Sequence, residues 1–440
     1  MSAKFHQISL KETFSECQDL FIDDAPSLFQ LLDEHLDLES FIPDSFFNAF
    51  YRSLGRKRLY PLSVFLAALI LQKILSIPTD SLLILFLNLC KELRDFCGFH
   101  KVPDAPLFTR FKQDFLPFIE EMFHQLVDFT EPICLAIDSS LAQMLTFDTA
   151  GIELYVTENN PKTLNALIRR LKAYYKDNPE VDPYMMAYVL MPSQAASSPH
   201  AKQLYINGHF CHANEFAILT NGLGIIRHIT FLDDDFKQLH PHFQPNTFLG
   251  DSAFDTIDTY GFLKNKFHIS RALIPYNTRN ESSLDKVGYN LYGYPTCPKD
   301  PPLDMKYLGH CHEKGRADRD KWGCPKVHMV KGQWVCDCTE PCSTAKGRTT
   351  YTYENMDFRI FPGIQRDTDE WESLYKIRTI VERAINHFKI NMCVAGRRTR
   401  NHITTKADVF LAGIASQLTV IVAYRMNSPQ YIRSLKPLAA

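Results

Sequence analysis

Two aspartates stand where chemistry on a phosphate ester would need carboxylates. Asp138 follows the short apolar run 133–137, and Asp251 follows the run 247–250. We predict that each run is a buried strand, so that each carboxylate is held rigidly at a strand end and points into a cleft. Two such carboxylates on adjacent strands could share a hard cation such as Mg²⁺, which prefers oxygen ligands. The alternative for either residue alone is an ordinary turn or cap.

A third acid, Glu382, belongs to a polar stripe on a predicted helix. Tyr375, Arg378, Glu382 and Lys389 follow the pattern Y-x2-R-x3-E-x6-K. At 100° per residue these four residues fall within an arc of roughly 60° on one side of a helix. One carboxylate for a metal, with an arginine and a lysine for phosphate oxygens, suits work on phosphodiesters. The alternative is an amphipathic helix with an ordinary i,i+4 Arg–Glu pair.

Any positive field for nucleic acid must be local, because the formal net charge of the chain is -2. The stretch 376–406 contains eight lysines or arginines and a single acid. Within it, Arg397, Arg398 and Arg400 follow the predicted helix and suit a loop that contacts phosphates. An exposed basic turn is the alternative.

The elements that must position these residues change in type along the chain. Apolar residues recur at helical spacing before residue 130, without the alternation of a strand, which predicts an all-α N-terminal region. The helical segments there are 27–36, 62–75 and 81–97. Later, we predict helices near 162–175, 213–221, 369–392 and 403–425. Predicted strands are 133–137, 203–210, 224–231, 247–250 and 272–275.

This order of elements predicts an α/β domain that is interrupted once. The predicted division is a helical domain for DNA binding or dimerisation at 1–130, a first part of the catalytic core at 131–275, an insertion at 276–348 and the remaining core helices at 349–440. The length of 440 residues and the hydrophobic content of 45% are sufficient for two or three domains.

The predicted insertion is rich in cysteine. Its cysteines are Cys297, Cys311, Cys324, Cys336, Cys338 and Cys342. Four sulfur or nitrogen ligands could hold a structural Zn²⁺ ion and stabilise a segment too rich in loops to form its own core. No pair has C-x2-C spacing, and buried thiols are the alternative.

The chain is expected to be soluble and cytoplasmic, without a membrane partner. Its first residues lack the apolar stretch of a secretory signal. The apolar segments 59–90 and 409–424 are interrupted or too short for a span. Cysteines in a chain without such a signal fit a reducing compartment.

Together these motifs resemble bacterial insertion-sequence transposases of the cut-and-paste DDE group. The stripe from Tyr375 to Lys389 is similar to the Y-R-E-K signature of that group, and the strings around Asp138 and Asp251 are similar to its aspartate motifs. The resemblance implies an α/β fold with an RNase H-like mixed sheet flanked by helices. It further implies that Asp138, Asp251 and Glu382 bind two Mg²⁺ or Mn²⁺ ions and act as the catalytic carboxylates.

The resemblance also implies partners. Tyr375, Arg378 and Lys389 would position phosphates of double-stranded DNA, a homodimer would hold two transposon ends, and the protein would associate with the bacterial nucleoid. The insertion would be β-rich, and its cations would contact DNA. Two alternatives remain: a domesticated DNA-binding protein without cleavage activity, and a metal-dependent nuclease of another pathway.

Overall fold

The structure, a computed structural model, is mixed α/β, with a helical N-terminal region and a mixed sheet, as predicted. It describes residues 27–438 except 52–56, 179, 207, 232–239, 241–242, 278–287, 291, 293, 342–346, 354–358, 360–362, 367 and 397–400.

The N-terminal region consists of helices whose predicted segments are confirmed. Their bounds are α1 Ser27–His35, α2 Asp44–Phe50, α3 Leu62–Ile74, α4 Asp80–Leu89, α5 Lys91–Cys97, α6 Ala105–Asp114 and α7 Leu116–Ile137. Local signals set several ends. The Thr79 side chain accepts a hydrogen bond from the backbone N–H of Leu82 and so caps α4. Gly98 ends α5 at φ 84°, a left-handed conformation that glycine adopts without strain.

The predicted strand at 133–137 is wrong, because α7 continues through it to Ile137. Its buried residues keep helical spacing as far as Ile133 and Cys134, so the apolar run is the last buried turn of a helix. Pro132 lies inside the helix without ending it. A short apolar run has the same composition in a buried strand and in a buried helix, which explains the error.

The mixed sheet has six strands in the part of the chain that the structure describes. They are β1 Met144–Glu153, β2 Lys202–Ile206, β3 His209–Asn221, β4 Ile226–Thr230, β5 Thr247–Leu249 and β6 Arg271–Leu273. β3 pairs antiparallel with β1, β2 and β4. β5 pairs parallel with β1 and with β6. The sheet is therefore antiparallel on one side of β1 and parallel on the other.

The predicted strands at 203–210, 224–231, 247–250 and 272–275 correspond to β2 with the start of β3, and to β4, β5 and β6. The predicted helix at 213–221 is wrong, because those residues belong to β3. All of them except Glu215 are buried. A central strand that is covered on both faces loses the polar alternation by which a strand is recognised. β1 was not predicted.

Further helices flank the sheet. They are α8 Ser139–Ala142, α9 Pro161–Tyr174, α10 Pro183–Val189, α11 Ile257–Phe267, α12 Asp369–Tyr375, α13 Thr379–Asn386 and α14 His402–Arg425. Lys376–Arg378 forms a 3₁₀ turn between α12 and α13, and His387–Asn391 forms a π-helical turn after α13. The helices predicted at 162–175, 369–392 and 403–425 are thus confirmed, the second with two changes of helix type.

Helix α14 is the centre of the core. By length and composition this helix could cross a membrane, yet 89% of its most apolar 18-residue stretch is buried inside the protein. It packs there on α3, α6 and α7. Gly413 permits the close approach of α7, since a Cβ there would lie 2.7 Å from the Phe123 ring. One hydrophobic cluster includes Phe108, Phe123, Ile229 and Phe410, from three helices and the sheet. The predicted boundary at 130 lies within α7, and this core continues across it.

The predicted insertion contains short strands in small antiparallel sheets. Their bounds are β7 Thr296–Cys297, β8 Asp300–Asp304, β9 Lys306–Cys311, β10 Arg319–Gly323, β11 Val327–Val330 and β12 Gln333–Cys336, and β13 Thr349–Tyr353 pairs with β10. Trp322 is buried and donates from Nε1 to Thr352 Oγ1 at 2.9 Å. The segment is β-rich, as the resemblance implied.

Candidate active site

The parallel pairing of β1 and β5 brings two carboxylates to the same place on the sheet. Thr146 lies opposite Leu249, and the same register continued by two residues puts Asp148 opposite Asp251. The backbone of Asp251 is extended, with φ −73° and ψ 161°, so the chain keeps the strand direction beyond Leu249. Neighbouring strands lie about 4.8 Å apart, and residues two apart share a face. Asp148 and Asp251 therefore lie side by side.

Glu382 reaches this pair from helix α13, which packs across β1 and β3. The buried residues of α13 are Val381 and Ile385. The side chain of Glu382 is 48% exposed, and its Oε1 accepts a hydrogen bond from Arg378 Nη2 at 2.5 Å. Helix α13 thus packs against the sheet with its apolar face. Glu382, together with Arg378 just before the helix, lies at the edge of that face.

Electrostatic interactions show that the three carboxylates form one cluster. Burial raises the pKa of the Asp148 carboxyl. The backbone N–H of Thr149, 2.8 Å from Oδ1, and the charge of Arg378 oppose this rise, while the charges of Glu382 and Asp251 add to it. The cluster concentrates negative charge, which a bound cation would relieve.

Arg378 and Tyr375 lie beside the carboxylates. Burial lowers the pKa of the Arg378 guanidinium, but the charges of Tyr375, Glu382, Asp251 and Asp148 outweigh it and raise the pKa above its ordinary value. Burial also raises the pKa of the Tyr375 hydroxyl. Arg378 lies over the Tyr375 ring at 5.9 Å. The stripe therefore presents one firmly charged arginine among the acids.

Lys389, another predicted phosphate contact, lies farther along the same helical segment. Lys389 is seven residues after Glu382, about 10 Å along the helix. Burial lowers the pKa of the Lys389 ammonium, and the charge of Cys211 on β3 opposes this shift. Arg397, Arg398 and Arg400 lie outside the described residues.

Asp138 is not part of the acidic cluster. It lies between α7 and α8, where its Oδ1 accepts a hydrogen bond from the backbone N–H of Leu141 at 2.9 Å and caps α8. Asp138 is therefore an ordinary helix cap, the alternative given above for this residue. A capping aspartate satisfies an N–H group that the first turn of a helix leaves without a partner. Asp148, which the sequence interpretation missed, takes the place beside Asp251. The signal was the run Met144–Glu153, which is rich in the β-branched and aromatic residues typical of strands.

The donor atoms of the cluster fit a hard divalent cation, because all of them are carboxylate oxygens. Among the described residues, the groups of three donors whose ligand atoms lie within 4.8 Å of one another are His124 with His228 and His240, and Glu153 with His209 and Cys211. The carboxylate cluster is more open than these groups.

The cysteines of the insertion separate into two places. Cys336 and Cys338 interact through their side chains, with Cys324 and Lys326 beside them, and the charge of Cys297 also acts on Lys326. Cys311 instead lies near Tyr307 and Arg319. Cys342 lies outside the described residues. Structural Zn²⁺ stays a prediction, for which the first group is the better set.

The cations of the insertion differ in how accessible they are to DNA. The guanidinium of Arg319 is 3.0 Å from the Glu313 carboxylate, and its side chain is 8% exposed. Arg316 pairs with the same carboxylate at 3.0 Å but is 69% exposed. Contact of Lys314 and Lys321 with DNA stays a prediction.

The raised pKa of Asp148 has a consequence for stability. A carboxyl with a raised pKa holds its proton more tightly in the folded state than in the unfolded chain. The free energy of unfolding therefore falls as the pH rises from the ordinary aspartate pKa through the raised value. We therefore expect Asp148→Asn to raise the Tm at pH 7, with a gain that shrinks towards pH 4. Thermal unfolding followed by circular dichroism at both pH values measures this.

Asp138→Asn is the matched control, because asparagine keeps a capping oxygen. It should not raise the Tm at pH 7. If the Tm of Asp148→Asn at pH 7 is equal to or below that of the wild type, the carboxylate of Asp148 is not destabilised by burial and by the charges of Asp251 and Glu382.

The acidic cluster on a mixed sheet offers carboxylate oxygens, the ligands that divalent cations prefer. Residues 16–114 match the family described as Transposase domain (DUF772). The match covers the helical region up to α6 and supports a transposase, with an enzymatic role in DNA processing. No curated protein and no solved structure matches the chain.

Proposed function

We propose that this chain is a DNA transposase of the DDE group, which cleaves and joins strands at insertion-sequence ends. The observation that carries the proposal is the convergence of Asp148, Asp251 and Glu382 at one place on the sheet. The family match supports the broader class.

The sheet topology supports an RNase H-like core. Its main order is β2, β3, β1, β5, β6, and β4 also pairs with β3. Neighbouring strands are antiparallel from β2 to β1, whereas β5 and β6 are parallel to β1. In such a core the acids stand on the central strand, after the adjacent parallel strand and on a following helix. Asp148, Asp251 and Glu382 occupy these positions.

We propose that Asp148, Asp251 and Glu382 hold two Mg²⁺ or Mn²⁺ ions. The chemistry that such ions supply is activation of a water or 3′-hydroxyl nucleophile and stabilisation of the leaving oxygen. Asp148 must be ionised for this role. Arg378 holds Glu382 in place until a phosphate or a cation competes for one of the two partners.

A second group of cations lies beside the carboxylates and suits DNA phosphates. Glu382, Arg383, His387 and Arg433 line one cleft. Burial and the charge of Arg383 lower the pKa of the Arg433 guanidinium. Two neighbouring cations that repel each other are stabilised when a phosphate lies between them. Double-stranded DNA is the proposed partner, and a homodimer would bring two active sites to two ends.

The test is cleavage of duplex DNA that carries the inverted repeats flanking the gene. With Mg²⁺ or Mn²⁺, the full chain should cut at the repeat boundary and join the cut end to a second duplex. Asp251→Asn should remove both products, and Asp258→Asn, at an exposed position on α11, should not. DNA retardation without cleavage would identify a binding protein instead. Cutting of arbitrary ends without joining would identify a general nuclease.

A further inference from the structure

Three histidines that are not part of the carboxylate cluster lie close together. His124 lies on α7, His228 on β4, and His240 precedes β5. His124 is half-buried, whereas His228 and His240 are 3% and 0% exposed. Each ring offers a nitrogen within 4.8 Å of the nitrogens of the other two.

The spacing of the rings is close to that of a metal centre. His124 Nδ1 lies 3.1 Å from His240 Nε2. The ring centroids of the three pairs are 5.1, 5.6 and 6.0 Å apart. Nitrogen ligands at 2.0–2.1 Å from a tetrahedral Zn²⁺ ion are roughly 3.4 Å from one another. Small adjustments of the side chains would bring all three nitrogens onto one ion.

Asp128, one turn after His124 on α7, orients the most buried ring. Its Oδ1 lies 3.0 Å from His240 Nδ1. A carboxylate at Nδ1 keeps the proton on that nitrogen and leaves the Nε2 lone pair directed towards His124. Carboxylates commonly orient histidine ligands of zinc in this way.

The rings of His124 and His228 are neutral at physiological pH, as metal binding requires. Burial lowers the pKa of His124 to about 4, together with the charges of His240 and Lys406 and against that of Asp128. Burial lowers the pKa of His228 to about 3, with smaller contributions from His124 and His240. Neutral imidazoles are preferred ligands of Zn²⁺ and its neighbours in the transition series.

We propose that His124, His228 and His240 form a binding site for a transition metal ion of the Zn²⁺ type, with the fourth position open to water. This site is separate from the proposed Mg²⁺ centre. A bound ion would connect helix α7, strand β4 and His240. His240 precedes strand β5, and Asp251 follows that strand. The ion would therefore stabilise the segment that leads from β4 to β5, without taking part in the chemistry of the proposed active site.

The test uses the untagged full-length chain, stripped of metal with a chelator and titrated with Co²⁺. We expect one equivalent to give the visible d–d bands of tetrahedral cobalt without a thiolate charge-transfer band, and Zn²⁺ to displace it. The bands should persist in a Cys336→Ser, Cys338→Ser variant, which excludes the insertion. Zn²⁺ should also raise the Tm.

Variants assign the ligands. His124→Ala, at the half-buried position, should weaken cobalt binding by at least about a hundredfold, and Asp128→Asn by about tenfold. Far-UV circular dichroism shows that each variant is folded. His209→Ala removes a histidine of the second donor group and should leave binding unchanged. Absence of stoichiometric binding, bands dominated by thiolate charge transfer, or equal affinity in folded His124→Ala would overturn the proposal.

Discussion

Asp148→Asn is expected to reduce strand cleavage at a transposon end by roughly a thousandfold or more, the scale on which loss of a catalytic group acts. Asparagine has nearly the shape of aspartate but lacks its charge, so it cannot hold the cation that the proposed mechanism requires. Asp148 lies opposite Asp251, and its pKa responds to both Asp251 and Glu382. Quantified cleavage of an end-labelled duplex measures the effect.

Asp138→Asn is the control for this prediction. Its carboxylate caps a helix through the backbone N–H of Leu141, and asparagine can make the same hydrogen bond. Cleavage should stay within a few-fold of the wild type. If instead Asp138→Asn is inactive and Asp148→Asn is active, Asp138 is the first carboxylate and the proposed cluster is wrong.

Asp408→Ala is expected to destabilise the fold by about 3–5 kcal/mol, because it breaks a buried ion-pair network. Asp408 Oδ1 on α14 lies 3.2 Å from Lys73 Nζ on α3 and 3.0 Å from Lys112 Nζ on α6. Lys112 also pairs with Asp80 at 2.7 Å. The side chains of Lys73 and Lys112 are 0% exposed. Without Asp408, both buried ammonium groups lose a carboxylate partner.

The urea unfolding midpoint and slope of Asp408→Ala measure this loss. Asp33→Ala, an exposed aspartate on α1, is the matched control and should change the free energy of unfolding by at most about 0.5 kcal/mol. The double variant Lys73→Met, Asp408→Leu should recover much of the loss, since apolar residues of similar volume need no partner. A loss below about 1 kcal/mol in Asp408→Ala would show that water reaches the network.

The network also shows why the helical region and the sheet cannot be treated as separate parts. Lys73 and Lys112 come from N-terminal helices, whereas Asp408 comes from the last long helix. The family match ends at residue 114. Its helices are nevertheless completed by residues much later in the chain, since Asp408 lies 335 positions after Lys73. The matched segment thus shares its core with the segment that carries the proposed active site.

The long segments with a clear helical period were predicted correctly from the sequence. Helices α3 and α14 depend on local patterns of apolar residues. The errors fell on short or fully buried runs, at 133–137 and 213–221. In both runs nearly every side chain is apolar or buried, so the pattern does not distinguish a helix from a strand.

The polar stripe on α13 was also visible in the sequence, because the spacing of Arg378 and Glu382 is a property of any helix. The choice between Asp138 and Asp148 was not. It depends on the register of β1 against β5, two strands about 100 residues apart in the chain. A shift of one residue in that register would turn Asp148 to the opposite face of the sheet.

The sequence by itself therefore determined several of the helices, the acidic and basic residues of one helix face and the resemblance to transposases. Only the tertiary structure decided which aspartate faces Asp251, and only it brought His124, His228 and His240 together. The physical reason is the same in both cases. Local periodicity sets the direction of a side chain within its own element, whereas proximity between elements depends on strand register and helix packing that arise from the whole core.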